Sequence, residues 1–249
     1  AAAKREFGKV GQRSRFFPNA QYMLGALAAQ AKDFKEAEAR FCRVATLGKK
    51  DALSFYADGR FYQVRDMAHL ALWRVAHESA RSADAFYYYF QVPSDSERIA
   101  EALFEAAWAS YEGGDHAAAL DGLDQLKARF PRSPYSAEAA VLRGYVNLSR
   151  CEFGAAEAEL IAFEKTFGAV LQEIDQTLES EAKQATLYRD LVARADSLAR
   201  NRERGVEAAP DPDGILLALV SADSTFYRLH SQIRVLDAEL ARSGNVPTA

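Results

Sequence analysis

FEAAWASYEGGDHAAALDGLDQL, residues 104–126, recurs in outline as QYMLGALAAQAKDFKEAEARFCRV at 21–44 and as VLRGYVNLSRCEFGAAEAELIAF at 141–163. In each stretch a small residue (Gly25, Ala107, Gly144) is followed twelve positions later by another (Ala37, Ala119, Ala156), and four further on by a large apolar one (Phe41, Leu123, Leu160). Between the two small residues lies a turn: Lys32-Asp33-Phe34, Gly114-Asp115-His116 or Cys151-Glu152-Phe153. Gly and Ala leave room for two helix backbones to cross closely, which is why small residues at this spacing matter. The unit is a helix, a turn and a second helix, repeated.

Composition agrees with an all-α chain. Alanine, the best helix former, is abundant, while the 249 residues include only 7 Pro and 14 Gly. With 49% hydrophobic and 27% charged residues there is enough apolar side chain for a core, which excludes disorder as the main state. A net charge of -4 offers no basic surface of the kind that phosphate neutralisation needs, which argues against nucleic acid as a ligand. No apolar run approaches the roughly 20 residues of a membrane span. Cys42 and Cys151 stand far apart, in no metal-binding or disulfide spacing, and read as two helical thiols.

The pattern resembles the tetratricopeptide repeat, whose unit places a small residue on its first helix and a second one on the helix that crosses it. Phe130-Pro131 closes a second helix where that family usually carries a terminal proline. The resemblance implies a right-handed α-α superhelix of three to four helix pairs over residues 18–168. A degenerate copy is expected at 53–78, where Gly59 and Ala71 keep the twelve-residue offset around a turn at Arg65-Asp66-Met67. It is followed by an insertion at about 80–96 that contains Tyr87-Tyr88-Tyr89-Phe90 and ends on the capping residues Ser94-Asp95-Ser96. The aromatic run suits either a partner-binding face or a tight repeat junction. Arg15-Phe16-Phe17-Pro18 is similar to Arg129-Phe130-Pro131, so residues 1–17 read as the second helix of a truncated preceding repeat. The natural protein is expected to be longer than this chain.

After Gly168 the periodicity lengthens. Leu171, Ile174, Leu178, Ala185, Tyr188, Val192 and Ala195 follow one seven-residue pattern, as do Leu219, Ala222, Phe226, Leu229, Ile233, Leu236 and Leu240. Two long helices are expected over 169–249, folded back as an antiparallel hairpin through the Gly- and Pro-bearing stretch 204–214. Asp211-x-Asp213-Gly214 in that stretch lacks the further ligands of a calcium loop and reads as a turn with an acidic helix start.

No catalytic constellation emerges. His69, His77, His116 and His230 make no H-E-x-x-H spacing, Gly113-Gly114 is a repeat turn rather than a phosphate loop, and no G-x-S-x-G elbow exists. Glu157/Glu159 and Glu179/Glu181 fall on solvent faces of helices, where burial does not raise a carboxyl pKa. The chain is read as a non-enzyme with no cofactor and no metal. A metal-dependent hydrolase using His69 and His77 is the remote alternative.

What the repeats offer is surface. In the family the first helices line a concave groove, and counting from each small residue carries over Tyr22, Tyr56, Arg60, Phe104, Trp108, Tyr111 and Tyr145 as its lining. Aromatic residues and Arg carry binding energy most often when a partner desolvates them, which fits a peptide or helix as ligand. The alternative is that the C-terminal hairpin fills the groove. The family's clamp for chaperone tails, which needs basic and Asn residues at set places on successive first helices, is not matched, with Val141, Leu142 and Tyr145 near Gly144.

Phe130-Pro131-Arg132-Ser133-Pro134-Tyr135 followed by Glu138-Ala139 is similar to the envelope branch of the family, such as the barrel-assembly lipoprotein of the bacterial outer membrane and the periplasmic coordinator of envelope constriction. Tyr88-Tyr89-Phe90-x-Val92-Pro93-x-Asp95-Ser96, leading into Glu101 to Trp108, is closer to repeat proteins of myxobacteria and their predatory relatives, some of which serve gliding motility. The resemblance covers about residues 84–168. It implies a protein–protein interaction scaffold of a periplasmic, outer-membrane-associated complex, held there by a lipid anchor or a membrane-protein partner. A cytosolic adaptor or regulatory subunit of an enzyme complex is the alternative.

Overall fold

The computed structural model describes residues 2–48, 55, 57–203 and 212–243, and among these every regular element is an α-helix. In chain order they are α1 (Ala2–Gly8), α2 (Phe17–Gln30), α3 (Phe34–Ala45), α4 (Gly59–Glu78), α5 (Ser82–Tyr89), α6 (Ile99–Glu112), α7 (His116–Arg129), α8 (Ser136–Ser149), α9 (Phe153–Leu178), α10 (Glu181–Glu203), α11 (Pro212–Ala222) and α12 (Ser224–Ser243).

One backbone turn builds the repeat. After α2, Lys32 takes a φ of 59°, its N–H donates to Ala29 O at 2.9 Å, and the Asp33 N–H reaches back to Ala28 O at 2.9 Å. A five-residue return over a left-handed residue is the Schellman stop, which satisfies the last carbonyls of the ending helix. The Asp33 carboxylate then accepts from the Glu36 N–H at 3.2 Å and starts α3. The same two backbone bonds recur at Ala80-Arg81, Gly114-Asp115 and Cys151-Glu152, with φ of 55°, 78° and 59° at the first residue of each. Only one of the four uses glycine. The other three accept a left-handed cost of about 1 kcal/mol each to keep the turn.

Three leading helices also begin alike. Ser14, Ser96 and Ser133 each accept a hydrogen bond on Oγ from the N–H two residues on, at 3.1–3.2 Å, and α2, α6 and α8 start three residues after the serine. Phe17 and Pro18 are thus the buried first residues of α2, not the end of an earlier helix. Proline suits that position because the first helical N–H has no intrahelical partner to lose. Helix α1 packs on α2 and is seven residues long, within the 1–17 segment expected as one second helix.

Four helix pairs follow: α2–α3, α4–α5, α6–α7 and α8–α9. Ala37, Ala85, Ala119 and Ala156 all stand five residues after the left-handed residue of their turn and are all buried. The second pair therefore differs from the expectation at 53–78. Helix α4 runs unbroken through Arg65-Asp66-Met67, and the stretch 80–96, expected as an insertion, holds the turn and α5. Twelve positions before Ala85 stands Trp73, 6% exposed, where the other pairs have Gly25, Ala107 and Gly144. A bulky residue at the diagnostic small position hid the pair. The extra residues of the repeat lie between Ala45 and Gly59.

The chain divides into two compact units, Ala1–Gly122 and Leu123–Ala249, with the boundary inside α7. The core of the first is built where pairs meet: Ala37, Phe41, Val44 and Ala45 of α3 pack with Val64, Ala68, Leu72 and Val75 of α4. Also on α4, Asp66 is buried with its Oδ1 lacking a hydrogen-bond partner. Burial pushes its carboxyl pKa up, against weaker pulls from the Ser96 hydroxyl and Arg65. A raised folded-state pKa gives stability that is present at low pH and lost as pH rises through it. Asp66→Asn should accordingly raise the melting temperature at pH 7, and the gap to wild type should narrow as pH falls through the raised pKa and be closed below about 4.

The second unit departs from a two-helix hairpin. Helix α9 passes through Gly168 without a break and ends at Leu178. Ser180 Oγ accepts from the Lys183 N–H at 3.3 Å and starts α10, and the Asp223 carboxylate accepts from the Phe226 N–H at 2.7 Å and starts α12. Each expected long helix is thus cut in two by a capping side chain that competes for the backbone. Helix α11 packs on both α9 and α10, α10 packs on α9, and α12 packs on α11. Asp211 lies outside the described residues. No helix among the described residues is long and apolar enough to cross a membrane.

Candidate partner-binding face

In the first unit the leading helices are α2, α4 and α6. On α6 the positions three before, one after and four after Ala107 hold Phe104, Trp108 and Tyr111. Their rings form a row, Phe104 to Trp108 at 6.4 Å and Trp108 to Tyr111 at 6.4 Å, which Tyr111 extends to His116 at 5.9 Å. Trp108 is 40% exposed and Phe104 and Tyr111 are half-buried, so the row is anchored on one side and open on the other.

Counting on α4 from Trp73 instead of Gly59 places Arg74 and His77 in the same register. Arg60, expected in the groove, is an exposed residue of the first turn of α4, and Tyr56 lies outside the described residues. Arg74 crosses to α6, where its Nε lies 2.9 Å from Glu105 Oε2 and its Nη2 bonds both Glu105 and Glu101. Burial works against the guanidinium charge, but the two carboxylates outweigh it and push the Arg74 pKa above its ordinary value. A guanidinium shared between two carboxylates is geometrically fixed, unlike an isolated surface pair. His77 stacks on Trp73, with ring centroids 5.4 Å apart and planes within 2°, and its Nε2 lies 3.4 Å from Glu112 Oε2.

Tyr22 joins this group from α2. Its ring packs on Phe41 at 5.4 Å, and burial raises its phenol pKa while the nearby charges of Arg74 and Arg98 pull it down. The structure brings together Tyr22, Phe104, Trp108 and Tyr111 of the expected set in the first unit, and adds Arg74 and His77. Tyr145 lies on α8 of the second unit and is about half exposed. The signal that would have found Arg74 was Ala85, one turn into α5 and twelve residues after Trp73.

The arrangement offers stacking surface and fixed charge. His69 is buried in α4, and among the described residues no three His, Cys, Asp or Glu side chains are grouped to hold a metal. Residues 101–133 match the tetratricopeptide repeat family. The match spans most of α6, all of α7 and the turn that follows, and therefore includes Phe104, Trp108 and Tyr111. No curated protein matches the chain. Tetratricopeptide repeats generally mediate protein–protein interaction and are typically non-catalytic scaffolds that bind protein partners.

Proposed function

We propose that the chain is a non-catalytic scaffold whose first unit takes a peptide or helical segment of another protein against Tyr22, Arg74, Phe104, Trp108 and Tyr111. The observation that carries this reading is the open side of Trp108 within a row of rings, beside an arginine that two carboxylates hold in place. A ligand burying that indole gains apolar contact without having to order the side chain first. In a pulled-down complex Trp108→Ala should weaken binding by at least about 2 kcal/mol. Its melting temperature should stay near that of wild type. Loss of the fold, with no separate effect on binding, would make Trp108 a core residue and end the proposal.

We further propose that the complex belongs to the bacterial envelope, on the periplasmic side of the outer membrane, in motility or envelope-assembly machinery. Support comes from the resemblance over residues 84–168, and a lipid anchor or a membrane-protein partner would hold the scaffold there. The first ~25 codons of the gene test this: a signal sequence with a lipidation cysteine is the expected result, and its absence favours a cytosolic adaptor.

A further inference from the structure

The last helix pair repeats the outer face of the first one and leaves it open. Counted from the left-handed residue of the turn, Phe34, Glu38, Phe41 and Cys42 of α3 correspond to Phe153, Glu157, Leu160 and Ile161 of α9. On α3 this face is covered by the next pair. Phe41 is 2% exposed, Arg81 pairs with Glu38 at 2.8 Å, and the Tyr88 hydroxyl donates to Glu38 at 3.3 Å while lying 3.9 Å from Cys42 Sγ. On α9 the matching residues are bare: Phe153 is 66%, Leu160 49% and Ile161 60% exposed. Together with Leu148 of α8 they form a shallow hollow whose rim carries Glu157 and Glu164. Neither glutamate forms an ion pair among the described residues.

We propose that this end face of α8 and α9 docks an amphipathic helix of a partner protein, one that presents an arginine to Glu157 and apolar side chains to Phe153, Leu160 and Ile161. The chain's own junctions show the chemistry that such a face accepts. Glu38 of α3 receives Arg81 from the following pair, and Asp124 of α7 receives Arg143 from α8. Glu157 is the equivalent of Glu38 with no such arginine, so the vacant position is complementary to a cation set among apolar residues. A second copy docked face to face fits poorly on charge, because two end faces brought together would oppose their own glutamates. The surface is distinct from the Trp108 row and does not depend on it.

The test titrates the full chain into a fluorescently labelled peptide of its own residues 57–93, the α4–α5 segment that covers the equivalent face of α3. Fluorescence anisotropy should show saturable binding that weakens at least about tenfold with Phe153→Glu and with Glu157→Arg. A peptide carrying Arg81→Glu should regain affinity for the Glu157→Arg chain. Both altered residues are exposed, so thermal melts of the variants should overlay wild type. Absence of saturable binding, or an affinity that neither variant changes, overturns the proposal. Self-association in sedimentation velocity that Phe153→Glu abolishes would assign the face to a second copy and overturn it equally.

Discussion

Gly25→Ala should destabilise the first unit by about 1–3 kcal/mol, whereas Gly144→Ala should leave the second unit unchanged or stabilise it by up to about 1 kcal/mol. The two glycines hold the same place in their repeats, so sequence alone gives them the same role. Geometry separates them. A Cβ on Gly25 would stand 2.6 Å from Phe41 Cε1, and Phe41 is enclosed by α3 and α4 and has nowhere to go. A Cβ on Gly144 would meet only Leu160 Cδ2, at an ordinary 3.8 Å. Leu160 is half exposed and yields toward solvent, so the helix-propensity gain of Ala over Gly is not cancelled. By the same reasoning Gly144→Leu, an overpacking change of ~1–3 kcal/mol on sequence grounds, should cost less than Gly25→Leu. Urea unfolding followed by circular dichroism measures both pairs. Equal losses at the two glycines would mean that the last pair is packed as tightly as the first.

The second large effect is at Trp73. Writing into α4 the small residue that the other three pairs carry, Trp73→Ala, should cost about 3–5 kcal/mol. The indole is almost fully buried and stacked on His77, so truncation leaves its volume empty. His77→Ala removes the half-buried partner of the stack and should cost less. If Trp73→Ala were tolerated, α4 would be able to close onto α5 as the other pairs do, and the tryptophan would be incidental to the repeat.

These contrasts mark what was legible in the residues. The turns at Lys32, Gly114 and Cys151 could be read because small residues stand on both sides of them at constant spacing. The fourth turn, at Ala80, uses the same backbone bonds, but Trp73 breaks the spacing rule. A chance pair, Gly59 and Ala71, satisfied that rule twelve residues apart within a single helix. Arg74 was lost with the phase, because a groove position is only as good as the small residue from which it is counted. In the second unit the seven-residue pattern predicted helix correctly, yet it ran across Ser180 and Asp223, whose side chains stop and restart the backbone without disturbing apolar periodicity. The open end face was beyond sequence for a different reason. Phe153 and Phe34 are the same residue at the same repeat position, and only the helix that follows decides which one is covered.

One register runs through the first three pairs, burying Trp73 and leaving Trp108 open on the face proposed for the partner. The chain has two tryptophans, so two variants isolate them. Trp73→Phe leaves the fluorescence of Trp108, and Trp108→Phe leaves that of Trp73. Acrylamide quenching of the native proteins should be several-fold stronger for Trp108, with emission at longer wavelength, than for Trp73. Equal protection of the two indoles, or a Trp73 that quenches more readily than Trp108, would contradict the register and with it the face assigned to the partner.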